Sequence, residues 1–343
     1  MKRIAILLCV LLTLSSCAAP APTLTPTPAP TLTPTPTPEP TPTPPPRNED
    51  VFLWEETDGT VTVTGYVGTA ETVDIPSELN GLPVTSIGER AFVDRTTLRA
   101  VTVPETVTSI GAMAFCRCYD LETVEGCENV TSIGARAFQY CDLLTSFPLT
   151  DTVEEIGELA FHWCRSLPAI TISASCRTVG IRAFCNCTGA ETVTFVSAPE
   201  TIGDEAFMEC TALEEICYPY VTGEMGVGVF KHCNALRTIR FDERVSEITA
   251  YSFQNCALLA EVTLPAHIRA IGKFAFGSCK SLRRVTFYNG SLPLVNGDRD
   301  KYVFHQTENL TFVSKKGSAV ERYVKENSRS RGDDPTWFVK PLT

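Results

Sequence analysis

Histidine is scarce in this chain. The four histidines, at 162, 232, 267 and 305, share no spacing that would stack them. A metal centre or proton relay built on imidazole therefore has no basis in the sequence. Positive charge is also in deficit: 29 Lys and Arg stand against 40 Asp and Glu, a formal net charge of −11. Such a surface repels nucleic acid phosphates and anionic lipid head groups, which argues against a nucleic-acid partner. Long apolar runs are lacking too, because the run from Ile4 to Leu14 is too short to span a bilayer comfortably. No Gly-x-Ser-x-Gly elbow, His-Glu-x-x-His pair or phosphate loop occurs. Asn296-Gly297-Asp298-Arg299-Asp300 begins like a calcium loop, but Lys301 stands where glycine is needed and Thr307 where glutamate belongs. It reads as a solvated turn. Carboxylates are numerous yet recur in no paired constellation, so no cofactor, metal or catalytic residue is expected.

Proline is concentrated at one end. From Pro20 to Pro46 the chain is almost purely Thr-Pro, which fixes φ, removes backbone donors and favours polyproline II. At about 3.1 Å per residue this segment would reach roughly 80 Å as a semi-rigid stalk. Before it, Lys2 and Arg3 precede the apolar run, which ends in Leu14-Ser15-Ser16-Cys17. The pattern reads as a signal peptide over 1–16 and resembles a bacterial lipobox, which implies lipidation at Cys17 and a tether over 17–50. Loss of Lys2 and Arg3 would take the net charge from −11 to about −13.

The rest of the chain is periodic. Steps of 23 from Ile87 land on Ile110, Ile133, Ile156, Val179, Ile202, Met225, Ile248 and Ile271 without an insertion. Five residues after each stands a phenylalanine, from Phe92 through Phe115, Phe138, Phe161, Phe184, Phe207, Phe230 and Phe253 to Phe276. A period of this size means stacked supersecondary units, none able to bury its apolar face alone. Leu98, Leu121, Leu144, Leu167, Leu213, Leu236, Leu259 and Leu282 open each strand, and alternations such as Val101-Thr102-Val103 mark one buried face. A glycine follows the Ile column in eight of nine units, a left-handed or crowded backbone position; Thr249 replaces it once. The middle coils deviate most, with Ala190 in the leucine column and Met225-Gly226-Val227-Gly228 rich in glycine.

The unit abstracts to I-G-x-x-A-F-x-x-C-x-x-L-x-x-V-x-V-P, as in Ile110-Gly111-Ala112-Met113-Ala114-Phe115. This pattern resembles the BspA-like class of bacterial leucine-rich repeat proteins over roughly residues 60 to 290. The resemblance implies an α/β solenoid: nine 23-residue coils with parallel strands and a short helical turn on the opposite side of each coil. An N-terminal β cap is expected over 51–84, the repeats over 85–288 and a C-terminal cap over 289–343.

Fifteen cysteines in an exported chain would ordinarily suggest disulfides. Eight of them, Cys118, Cys141, Cys164, Cys187, Cys210, Cys233, Cys256 and Cys279, form one column. Neighbouring strands at about 4.8 Å would permit bridges, but stacked side chains point alike, so small buried thiols are the favoured reading. Cys116 and Cys185, three coils and roughly 14 Å apart, could not share an ion.

Two candidate binding surfaces remain. Arg237, Arg240, Arg283 and Arg284 sit beside Glu214, Glu215 and Glu261 on outward strand positions, as a recognition patch or a salt-bridged solvated face. Tyr140 and Trp163 occupy equivalent places in adjacent coils beside Gln139 and His162, as exposed platforms for sugar or peptide or as edge packing. The sequence thus reads as a non-catalytic, monomeric surface lipoprotein. The family resemblance implies adhesion to an extracellular protein or glycan, with the membrane reached only through the N-terminal lipid. The alternatives are a polysaccharide-cleaving parallel β-helix and a solute-capturing lipoprotein.

Overall fold

The computed structural model of the chain describes residues 51–288, 303–307, 309–327 and 338–342. The expected signal peptide and its Cys17, the Thr-Pro segment expected to act as a tether and the segment 296–300 lie outside these described residues.

An antiparallel hairpin opens the body. Strands Phe52–Thr57 and Thr60–Tyr66 meet at Asp58-Gly59, both at positive φ, the pairing that suits the right-handed twist of a two-residue turn. Thr60–Tyr66 then pairs in parallel with Leu82–Ile87, and within the repeats each paired strand lies on its counterpart 23 residues further on, whereas Thr72–Asp74 with Ala100–Thr102 and Arg284–Phe287 with Thr311–Ser314 are offset by 28 and 27. Two columns of parallel strands result. One consists of two-residue strands carrying the Ile column, running from Ser109–Ile110 through Thr178–Val179 to Glu224–Met225. The other carries the Val-Thr-Val alternation, with Val101 and Val103 buried and Thr102 exposed.

The column phenylalanines are fully buried and stacked ring on ring at 4.9–5.9 Å. Tyr66 adds a ring below Phe92, and Phe304 adds one above Phe276. Eleven rings in one column describe a β-solenoid of about eleven turns, so the nine expected from the period omit one turn at each end. Both end residues sit in irregular sequence that a count of 23s passes over.

The expected short helical turns are also replaced. The only helix among the described residues is Ala319–Asn327, whose start is capped by Ser318 and by the Glu321 carboxylate on the Gly317 N–H. After each Ile the chain instead forms a flat ribbon of successive turns. In each of the nine 23-residue coils the third and seventh residues after the Ile column adopt positive φ, as Arg136 (58°) and Tyr140 (63°) do. A left-handed residue every four positions stops helix propagation. Alternate N–H groups then point along the solenoid: Arg136 N–H donates to Glu158 O, Phe138 N–H to Ala160 O and Tyr140 N–H to His162 O. The groups between close i→i+3 turns, such as Ala137 N–H to Gly134 O. The left-handed strain persists because it leaves each of these polar groups bonded.

The glycine column is a matter of crowding. A Cβ on Gly180 would stand 2.5 Å from the Gly157 carbonyl carbon and 2.6 Å from Glu158 N. Coils approach so closely here because each glycine N–H donates to the preceding coil's Ile-column carbonyl, as Gly180 does to Ile156 O at 2.8 Å. Charges are matched in the same register: Arg99 with Glu122, Arg177 with Glu154 and Arg182 with Glu205 bridge adjacent coils. Exposed pairs of this kind are screened by solvent and chiefly favour correct register.

Candidate functional site

The strand column does not form one uninterrupted sheet. It divides into Thr72–Asp74 with Ala100–Thr102 and Thr123–Glu125, Ala169–Ile172 with Thr192–Phe195, Glu215–Tyr218 with Thr238–Phe241, and a last group starting at Glu261–Leu264. The first division falls at Pro148, which has no N–H for a ladder. This division governs the charged candidates. Arg240 pairs with Glu215 at 2.9 Å, and Arg284 with Glu261 at 3.6 Å, within separate strand groups. Arg283 folds onto the carbonyls of Lys280 and Leu282. Arg237 and Glu214 are exposed and meet through the backbone, Arg237 N–H donating to Glu214 O. The seven residues are therefore brought together as two local ion pairs and their flanks.

Tyr140 and Trp163 come together on the turn ribbon, both at positive φ and both partly exposed. Their rings are 5.9 Å apart and tilted by 42°. His162 lies 5.9 Å from Trp163, edge to face, and its Nδ1 meets Gln139 Nε2 at 3.0 Å. Burial, with help from Arg182 and Arg136, pushes the His162 imidazole down to about 4. The ring is neutral at physiological pH and acts as a packed amphipathic wall. Arg165 covers one Trp163 face at 4.1 Å.

The thirteen described cysteines are all free. Each column thiol donates to the phenylalanine carbonyl of the preceding coil, as Cys164 Sγ does to Phe138 O at 3.2 Å and Cys279 Sγ to Phe253 O at 3.2 Å. Burial raises these thiols, Cys118, Cys233 and Cys279 to about 12. Cys217, on an outward strand position, is the exposed one.

The sequence reading did not connect Tyr218, Thr249 and Ser252. Tyr218 occupies an inward strand position that holds Val103 and Ile172 in other coils, Thr249 the glycine column, and Ser252 the alanine before the phenylalanine. They meet in the core. Thr249 Oγ1 donates to Gly226 O at 2.7 Å, and Ser252 Oγ donates to Thr249 O at 2.8 Å. The Tyr218 oxygen accepts the Thr249 N–H at 3.4 Å and lies 3.3 Å from Ser252 Oγ. The Thr249 N–H thus leaves the ladder that the column glycines follow. The short-strand sheet ends at Glu224–Met225 and resumes separately at Glu247–Ile248. Phe230 and Phe253 are the most widely spaced of the column rings at 5.9 Å, with Tyr218 5.4 Å from Phe253.

Two adjoining cavities of about 300 Å³ each lie at this place. One is a slit between Thr192–Phe195 and Glu215–Tyr218, with Phe195 and Ile216 below and Glu215, Arg240, Asp242 and Arg244 at its rim. The other lies against Met225, Val245 and Thr249. They share Pro219 and Tyr220. The Arg244 guanidinium lies 4.8 Å from the Tyr220 ring centre and pairs with Asp242 at 2.8 Å, which holds the Asp242 carboxyl below its usual range. Tyr220, Asp242 and Arg244 carried no signal in sequence beyond lying next to the irregular coils.

Comparison with known proteins places this architecture. No protein of curated function matches the chain. Among solved structures, a leucine rich cell surface protein from Faecalibacterium prausnitzii is 25% identical, over 79% of this chain and 95% of that one, with a TM-score of 0.44. A leucine-rich repeat protein from Bacteroides ovatus is 21% identical over 86% and 99% of the two chains, with a TM-score of 0.35. The pneumococcal vaccine antigen PcpA is 16% identical over 85% and 97%, with a TM-score of 0.42. The family model for the BspA type leucine rich repeat region matches residues 85–214 and 200–321, in six copies. That span takes in the crowded glycine, the stacked phenylalanine and the thiol-capped turn of coil after coil, and the chain belongs to the BspA-type leucine-rich repeat family.

Proposed function

We propose that this protein is a non-catalytic binding module displayed outside the cell, its solenoid presented on the Thr-Pro stalk and anchored through a lipid on Cys17. The observation that carries the reading is the regular solenoid itself. Among the described residues the filled, insertion-free repeats have no deep cleft between lobes for solute capture, and their outward columns repeat at fixed register as an extended contact surface. Membership of the BspA-type family and the cell-surface description of the Faecalibacterium prausnitzii relative support export. The partner class is extracellular protein or glycan, met either at the strand face or at the Tyr140–Trp163 wall on the ribbon.

The test has two parts. Screening the purified full chain on arrays of matrix proteins and glycans should give saturable binding without cleavage of the bound polymer; release of shortened glycan would favour an enzyme. Mass spectrometry of the mature N-terminus should find a lipid-modified Cys17, and an unmodified mature chain starting elsewhere would sink the anchoring part.

A further inference from the structure

We infer that the groove around Tyr220 is a binding site for a neutral oligosaccharide. This rests on the proposed binding role and names the ligand class and the place. The first observation is that the groove coincides with a compensated fault. Tyr218, Thr249 and Ser252 depart from the repeat at once, in residues up to 34 apart in sequence, and they satisfy one another in the buried core. A random fault in a one-dimensional array would leave an orphaned N–H or a void, whereas here the lost ladder bond is replaced by a tyrosine hydroxyl. Local rules broken together and repaired together are expected where function requires it. The fault separates the coils at the short strands while the turn ribbon stays bonded across it, Phe230 N–H donating to Ser252 O at 2.9 Å.

The second observation is the chemistry of the rim. At the slit Arg240 is paired with Glu215 and Arg244 with Asp242, so guanidinium donors and carboxylate acceptors are balanced along its rim, and Glu247 adds one carboxylate at the adjoining cavity. Anionic ligands gain no field from such a rim, and cationic ones none either. A sugar, with hydroxyls that both donate and accept on an apolar ring, fits alternating donors and acceptors over Tyr220, Phe195 and the 57% exposed Val196. Size points the same way. Cavities of about 300 Å³ are at the scale of small-molecule sites, whereas a stable protein interface takes about 800 Å² from each partner.

Cys217 lines the slit and is the exposed thiol among the described cysteines, which supplies a direct readout. The full chain would be treated with N-ethylmaleimide in the presence of maltohexaose, cellohexaose, laminarihexaose, xylohexaose, mannohexaose or chitohexaose, and the Cys217 peptide followed by mass spectrometry. At least one neutral hexaose should slow modification fivefold or more. Calorimetry with that sugar should show at least tenfold weaker binding for Tyr220→Ala and Asp242→Asn, and unchanged binding for Tyr140→Ala and Trp163→Ala. Arg240→Gln, at an exposed position, serves where Tyr220→Ala melts early. Binding lost only in the Tyr140 and Trp163 variants would overturn the proposal while leaving the surface-binding role intact. So would protection of Cys217 only by an acidic glycan or by a matrix protein. A chain that binds no glycan and no matrix protein at all would remove both.

Discussion

The Tyr218 hydroxyl takes the Thr249 backbone N–H that the glycine column elsewhere gives to the preceding coil. One side chain thus repairs a bond broken by another residue 31 positions away. The relationship makes the two substitutions interdependent: threonine at 249 needs a donor–acceptor nearby, and a tyrosine at 218 needs polar company for its buried oxygen.

Tyr218→Phe should therefore destabilise the protein by about 1–3 kcal/mol, the cost of leaving a buried N–H unsatisfied. In a Thr249→Gly, Ser252→Ala background the same change should cost less by at least about 1 kcal/mol. Urea melts of the four proteins form the cycle, and simple additivity would show that the three residues are not one unit.

Glycine matters here where φ is ordinary. Gly180→Ala should destabilise strongly, by about 3 kcal/mol or more, because its Cβ would sit 2.5 Å from backbone that cannot move without opening the coil. Arg136→Gly, at φ 58°, should be neutral or stabilising by up to about 1 kcal/mol, since left-handed strain is relieved. Thermal melts of both variants test the contrast, and the reverse order would refute the crowding argument.

The thiol column sets an alkaline limit. Burial raises Cys118, Cys233 and Cys279 to about 12 in the folded protein, against an ordinary thiol value of 9.0, so the unfolded chain loses these protons first as pH rises. Stability should be unaffected by them below about pH 9 and should fall between about pH 9 and 12. Each such thiol contributes up to about 1.4 kcal/mol per pH unit. Stability measured from pH 7 to 11 should show a shallower alkaline slope in Cys233→Ala than in the parent, and parallel slopes would contradict it.

Amide exchange should map the fault. The short-strand ladder runs unbroken from Ile87 to Met225, so the Ile248 and Thr249 amides should exchange faster than those of Ile156 and Val179. Protection that is uniform along the column would mean that the hydroxyl network replaces the lost pairing fully.

The repeat was legible because every coil meets the same neighbours at the same offset. Apolar spacing therefore reports burial directly, and the Ile, Phe, Leu and Cys columns could be placed inside from sequence. The crowding at glycine was half legible: its recurrence marks a constraint, while its cause, the next coil's backbone, is a three-dimensional contact. The turn ribbon was not legible at all. Residues as unlike as Arg136, Leu159 and Phe274 adopt positive φ at one position because inter-coil hydrogen bonds impose it, and side-chain identity carries no trace of that bond. The Tyr140–Trp163 contact followed from register, since residues 23 apart are neighbours by construction. The groove did not. Tyr218, Thr249 and Ser252 each look like tolerated noise within their own column, and only the packing of two coils joins them into a network beside Tyr220. Sequence by itself determined the periodic body, because periodicity is a local rule repeated. Tertiary structure decided where that body departs from itself, because a departure is compensated by contacts between columns that no single repeat contains.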